Sequence, residues 1–513
     1  MKRTTLSLIA GATALAAVTG FASLTTPDGS AAPQAKAPTR LPVARAGLAC
    51  PVPSTSEVAE TLYTSYTPPG TDPAKGGTGG SGAADPSAAT AQLRPAANAT
   101  TSGGAATGGK KATAPKVPGT VTAPGKPVTA AANGPAAPAL TGAATGTLAP
   151  GWTVQQTTLV PAGGARGLLG LGCGAPDTDF WFPAASTAKE RQDYVHLTNP
   201  DDTAAVADIQ LYGPEGVLKS QFTEGIPVPA HSTVPVLLST LTAEAAQQSV
   251  TVHVTTRSGR VGAAIGSADE KLGSDWLAAS ADPASTAVLP GIPADATAVR
   301  LVAFVPGEDD ADLKIQLVTQ NGTIVPASAR SLHVKSGMTA SVELPDLTRG
   351  EVGSLMLSAA DPKKPVPVVA ALRVVRGKGD DTEVAFVPAT GAISARATIA
   401  DNRAKGTTLA LTAVGAAAQV KVTASAGSGG GTPVTKTVTV KEGTTTALTD
   451  LVPQGLKGSY ALTVEPVSGG RVYASRTLAV PLDGAPAFTI QTFVDDRGTV
   501  EVPSARQDLG VLD

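Results

Sequence analysis

Ser186 and Lys189 stand three positions apart, the spacing with which penicillin-recognising enzymes set a lysine amine beside a nucleophilic serine. Those enzymes also carry Ser-Asp-Asn and Lys-Thr-Gly, and neither follows here, where the surroundings read as strand and loop. Gly77-Thr-Gly79-Gly-Ser-Gly82 matches a dinucleotide fingerprint in letters only, because it lies in a low-complexity stretch with no strand before it and no helix after it. The four histidines, His196, His231, His253 and His333, are scattered with no pair at ligand spacing; three sit in alternating apolar runs, where a hydrogen-bonded strand histidine is expected rather than a zinc ligand or base.

Acidic residues give a second set of candidates. Asp201-Asp202, Asp309-Asp310 with Asp312, Asp380-Asp381 and Asp495-Asp496 fall between strand-like runs. They read as solvated turns, with calcium at a sandwich end as the alternative, although no ordered ligand pattern is present. Trp181 and Trp276 are the two candidate ligand contacts, able to stack on a sugar ring. In a chain with only 3% aromatic residues they are expected as anchors of the first domain's core and its junction rather than as ligand contacts. No catalytic residue, cofactor site or metal site emerges, and a non-enzyme is expected.

Positioning elements come next. Valine, leucine, isoleucine and alanine must build the cores, and the β-branched residues beyond residue 180 favour strands. Three markers recur. An apolar residue precedes proline at Phe182-Pro183, Leu289-Pro290 and Val387-Pro388. Val228, Val334 and Val440 are 106 residues apart, and each is followed eight positions on by an apolar residue, Val236, Val342 and Leu448. Alternating runs such as Val250-Thr-Val252-His-Val254 and Tyr460-Ala-Leu462-Thr-Val464 lead into hairpin-like ends. A period near 100 with alternation of two predicts an all-β chain of tandem immunoglobulin-like antiparallel β-sandwich domains. Their spans are 151–282, 283–389 and 390–502, the last with a C-terminal hairpin of Phe488–Val494 and Thr499–Val502, followed by a tail over 503–513.

Residues 71–150 hold 63 Ala, Gly, Pro, Ser or Thr in 80 and no aromatic residue, so 67–150 is expected as a long disordered Ala/Gly/Pro/Thr-rich insert. Strands from 46–66 and from Trp152 to Val160 would join domain 1. At the N-terminus, Lys2 and Arg3 precede an apolar stretch from Leu6 to Leu24 and the small residues Ser30-Ala31-Ala32. This is an export signal over 1–32 or, if uncleaved, an N-terminal anchor and the only route to a membrane. An oxidising exterior lets Cys50 and Cys173, the only two cysteines, form a disulfide; two buried thiols are the alternative. A net charge of -2 gives no electrostatic reason for a nucleic-acid partner.

Cys173-Gly-Ala-Pro176 followed by Phe180-Trp181-Phe182 resembles a signature of secreted actinobacterial proteins grouped as domain-of-unknown-function family 5719. Further resembling stretches are Val195-His-Leu197-Thr-Asn199-Pro200, Ile209-Gln-Leu211-Tyr212-Gly213-Pro214-Glu-Gly216, Ile226-Pro-Val-Pro-Ala-His231-Ser232 and Asp275-Trp276-Leu277, spread over most of 46–500. The resemblance implies an exported, actinobacterial context and no mechanism. Together these features predict an extracellular or envelope-associated, non-catalytic structural or interaction protein whose partner is an envelope protein or polysaccharide. A polysaccharide-binding β-sandwich protein is the second expectation and an envelope hydrolase the third.

Overall fold

The computed structural model describes residues 39–70, 89–99, 117–222, 224–482 and 487–502. The expected signal segment over 1–32, the tail over 503–513 and residues 71–88 and 100–116 of the expected insert lie outside them. The described chain is all-β, built from several sheets that are antiparallel apart from one parallel junction, with no α-helix. No helix among the described residues is long and apolar enough to cross a membrane.

Three consecutive repeats share one strand plan. In the first, the eight strands are Asp179–Ala185, Arg191–Asn199, Ala205–Gly213, Ile226–Val228, Ser232–Leu237, Val250–Ser258, Gly262–Asp269 and Gly273–Leu277. The first, sixth, third and fourth strands form one sheet in that order; the fifth, second, seventh and eighth form the other. The second repeat does the same with Thr286–Ile292, Ala296–Phe304, Ala311–Thr319, Ser331–Val334, Thr339–Glu343, Gly353–Ala359, Val369–Arg376 and Glu383–Pro388. In the third, the second and third strands run on as one, Thr407–Ala424, and the sixth and seventh as another, Tyr460–Val480. A bulge between Val414 and Ala418, with Gly415 at φ 86°, lets the long strand pass from one sheet to the other.

Alternation puts one face of each sheet inward. Phe182, Leu197, Ile209 and Val252 share the first core, Leu289, Leu301, Ile315 and Leu372 the second, and Ile399, Leu409, Val420 and Leu462 the third. The 106-residue period also appears in the backbone. His231, Gly337 and Gly443 occupy the same turn of successive repeats, all at positive φ of 50°, 67° and 62°. Glycine meets that geometry freely; His231 does so with its ring held by Asp202 at 2.8 Å.

The strand order departs from the immunoglobulin one. There the first strand pairs with the second and the seventh with the sixth. Here the first pairs with the sixth and the seventh with the second. Only five residues separate Ala185 from Arg191 and three separate Ile292 from Ala296, so the chain steps between sheets at this connection instead of folding back as a hairpin. Alternation specifies which face is inward but not which neighbour is taken.

The expected insert is not all loop. Ala91–Asn98, Val128–Asn133 and Ala139–Thr145 are strands. Ala91–Asn98 pairs in parallel with Ser232–Leu237 and, through Ala139–Thr145 and Arg45–Cys50, extends the first repeat's second sheet to seven strands. Val128–Asn133, Glu60–Tyr66, Thr153–Val160 and Gly167–Gly172 form a separate four-stranded sheet. Small residues suffice because these strands borrow large ones: Leu93, Leu140, Leu148, Trp152, Tyr63 and the two cysteines make one core. Cys50 and Cys173 are disulfide-bonded, with Cα atoms 4.7 Å apart.

The repeats and the N-terminal strands form one compact unit, Pro42–Gly498. Thr339 Oγ1 donates to Tyr212 O at 2.7 Å between the first two repeats, and Thr445 Oγ1 donates to Val318 O at 2.9 Å between the second and third. Arg396 donates to Pro69 O and Pro150 O, tying the third repeat to the N-terminal strands. The expected C-terminal hairpin does not form. Ala487–Thr492 completes the third repeat, whereas Thr499–Val502 pairs with Thr39–Pro42 in a two-stranded ribbon of its own. Between them, Asp496 pairs with Arg396 and Asp495 accepts from Ser394 N and Ala395 N, bonds that hold the chain before it could turn back on its own strand.

Candidate functional site

Ala205–Gly213 and Val250–Ser258 alternate strictly enough to separate two sets of side chains. Ala207, Ile209, Leu211, Val252 and Val254 point into the first core. Asp208, Gln210, Tyr212, His253 and Thr255 point outward. Cross-strand register sets Asp208 beside Thr255, Gln210 beside His253 and His253 beside Trp181. Ser220, Phe222, Glu224 and Leu241 line, with this row, an open pocket of about 320 Å³.

The polar groups of the pocket are held in place. Arg257 grips Asp208 with two hydrogen bonds of 2.7 and 2.8 Å. Tyr212 OH donates to Gln210 Oε1 at 2.6 Å, which turns the amide NH₂ the other way. The His253 ring lies flat on Trp181, 3.6 Å between centroids, and shares a 3.1 Å hydrogen bond with Asp179. Trp181 is backed in turn by Phe304 and Val369 of the second repeat. Among the aromatics of the described residues Phe222 is the exposed one, with 55% of its surface open.

Trp181 and Trp276 are 8% and 3% exposed, so neither offers the open stacking face expected of a ligand contact. Each is an anchor: Trp181 at the junction of the first two repeats, Trp276 edge-on to His196. His196 is half-buried with its Nδ1 enclosed, and burial pushes its imidazole down to about 4. Ser186 is buried, donates its hydroxyl to Gln247 O at 2.9 Å and accepts from Ala188 N, so it is a turn residue and no partner of the Lys189 amine appears there.

The aspartate clusters tie turns. Asp201 binds Arg260 through both oxygens, Asp202 meets His231, and Asp312 meets His333 at 2.8 Å with Asp310 at 3.7 Å from the same ring. Gly379–Asp381 is a short 3-10 turn. Among the described residues no cluster of three His, Cys, Asp or Glu side chains could hold a metal ion.

A second polar set lies in the interior, where the N-terminal four-stranded sheet meets the first and third repeats. Asp275 accepts from Gly170 N at 3.0 Å and from Thr489 Oγ1 at 3.1 Å, and burial drives its carboxyl well above the usual range. Arg476, fully buried, donates to Gln491 Oε1 and reaches the backbone oxygen of Asp401; burial lowers its guanidinium to about 10. Glu383 stands 3.9 Å from Arg166 and is raised to about 7, mostly by burial. These groups are closed to substrate. Their chemistry is that of a seam, not of a site.

Sequence reasoning missed Phe222, because a lone phenylalanine in a loop carries no pattern. The polar row was legible as outward positions of alternating strands, although its pairing was not. A family model described as a family of unknown function, DUF5719, matches residues 128–450, a span that contains the pocket and the whole of the first two repeats. No curated protein and no solved structure matches the chain.

Proposed function

We propose that this chain, which belongs to the DUF5719 family, is an exported, non-catalytic structural or interaction protein of the cell envelope. One observation carries the reading: three copies of one two-sheet unit and an N-terminal sheet stapled by Cys50–Cys173 make a single body from Pro42 to Gly498. Tandem sandwiches of this kind give fixed spacing and exposed loops, which suit adhesion or scaffolding and need no reactive group. The disulfide is compatible with an oxidising exterior, and the N-terminal charge and apolar stretch supply the export pattern. A hydrolase would need a nucleophile and base converging in a cleft; Ser186, the one serine with a suggestive spacing, is bound to backbone.

The test is a pull-down from envelope extract beside a panel of hydrolase and transferase assays. Specific retention of an envelope component with no turnover is expected. Turnover of a glycan, peptide or ester, abolished by Ser186→Ala or His196→Ala, would show the reading to be wrong. Polysaccharide binding is the second reading, favoured by the exposed Phe222 over a fixed polar row.

A further inference from the structure

We infer that the pocket over the outer face of the first repeat is a binding site for a neutral, hydroxyl-rich glycan, with Phe222 as its stacking wall. The inference rests on the envelope-binding reading above and gives that reading a ligand class and a place.

Four observations converge. The first is cost: a chain that keeps Phe182, Phe304, Phe386, Phe488 and Phe493 at 1% exposure or less leaves Phe222 more than half open. Burying that ring takes apolar surface out of water, which favours binding. A pyranose or furanose offers the matching surface, a C–H face, to an aromatic ring.

The second is pre-organisation. Asp208 is clamped by Arg257, Gln210 by Tyr212, and His253 by Trp181 and Asp179. Groups already fixed lose little rotamer freedom when a ligand arrives, which is where much of the cost of binding polar ligands lies. The outward row therefore resembles a template more than a mobile solvated surface.

The third is the balance of donors and acceptors. Around one concavity stand acceptors at Asp208 and Glu224, amide donors at Gln210 and a hydroxyl at Thr255 that does both, while the Ser220 hydroxyl is committed to its own turn with Phe222 O and N. Vicinal hydroxyls need that mixture. A phosphate or carboxylate ligand would need uncommitted cationic groups; no lysine or arginine is among the described lining residues, and Arg257, which grips Asp208, is bidentate to it. An acidic polymer is disfavoured by Glu224 as well.

The fourth is size. About 320 Å³ lies at the small end of ligand pockets, which span roughly 300–1,000 Å³, and suits about one or two sugar rings. The pocket is open at its surface, so a residue within a longer chain can enter from the side.

The experiment uses the full exported chain with its disulfide intact. Native affinity electrophoresis through gels containing dextran, mannan, galactan or arabinogalactan measures retardation, with polyglutamate as an anionic polymer and a casein digest as peptide probe. At least one neutral polysaccharide is expected to retard the protein, and Phe222→Ala to weaken that retardation about tenfold. Gln210→Ala should weaken it as well, while Val494→Ser, an exposed change in the third repeat, should not. Unchanged thermal melts of each variant show that folding is intact.

The assignment is overturned if no neutral polysaccharide retards the protein, if Phe222→Ala binds within twofold of the unaltered chain, or if only the peptides or polyglutamate retard it. Co-sedimentation with isolated envelope separates the two levels. If the protein and Phe222→Ala sediment equally, the glycan site is wrong and the envelope reading stands. If the unaltered protein stays in solution, the envelope reading has failed.

Discussion

The N-terminal strands and the three repeats reach the same compact state by different means. Each repeat has a core of leucine, valine and isoleucine between its two sheets, the first continuing onto Val302, Ala371 and Phe386 of the second repeat and the second onto Phe488 and Ile490 of the third. The strands before Cys173 share a smaller core, with Leu48, Tyr63, Leu93, Leu140, Leu148 and Trp152 around the two cysteines, and several of them add little to it. Ala91–Asn98 contributes one leucine, and Ala139–Thr145 reads Ala-Leu-Thr-Gly-Ala-Ala-Thr. They fold by adding to edges: Ala91–Asn98 beside Ser232–Leu237, and the four-stranded sheet over the seam of Asp275, Arg476 and Gln491. A single strand as poor in apolar surface as Ala91–Asn98 is ordered by the scaffold it adds to. The disulfide then fixes the arrangement from the far end.

The largest expected effect tests that asymmetry directly. Replacing Cys50 and Cys173 together by alanine opens a crosslink 123 residues in span, for which the chain-entropy relation gives about 4–5 kcal/mol as an upper figure. Chemical denaturation of the double variant should show an early transition confined to the N-terminal strands, ahead of the repeats. A single transition, displaced as a whole, would mean that the two regions do not differ in the way described.

A smaller effect sharpens the comparison at the seam. Arg166, which precedes Gly167–Gly172, reaches the second repeat by donating to Thr382 O at 2.7 Å beside the buried Glu383. Burial raises the Glu383 carboxyl from 4.5 to about 7, so the folded state holds its proton more tightly than the unfolded chain. The stabilisation is therefore complete below pH 4.5, falls as pH rises toward 7 and is absent above it, a loss on the order of 3 kcal/mol. Urea midpoints measured from pH 4.5 to pH 8 should fall over that window, and Glu383→Gln should flatten this part of the fall. A Glu383→Gln profile parallel to that of the unaltered chain would remove Glu383 from the account.

Much of the repeat architecture was legible in the sequence, and the reason is periodicity. Val228, Val334 and Val440 mark equivalent turns because one strand plan recurs, and the left-handed His231, Gly337 and Gly443 confirm the 106-residue period. The strand order was not legible, since alternation is blind to the neighbour a strand takes. Composition misled at residues 91–98, 128–133 and 139–145, where a core is supplied from other parts of the chain. Pairing of Cys50 with Cys173 followed from there being only two. The aromatic residue that faces solvent did not: Trp181 and Trp276 drew attention by type, while exposure is decided by the junction with Phe304 and Val369 that covers Trp181.

The central claim is that the N-terminal strands and the repeats form one body while the disulfide is closed. Hydrogen–deuterium exchange read by mass spectrometry tests it most directly, comparing Glu60–Tyr66 and Thr153–Val160 with the long third-repeat strand Thr407–Ala424. In the oxidised protein the three segments should be protected to a similar degree, and in the Cys50→Ala, Cys173→Ala protein the two N-terminal strands should exchange faster while Thr407–Ala424 is unchanged. Rapid exchange of Glu60–Tyr66 and Thr153–Val160 in the oxidised protein would contradict the account.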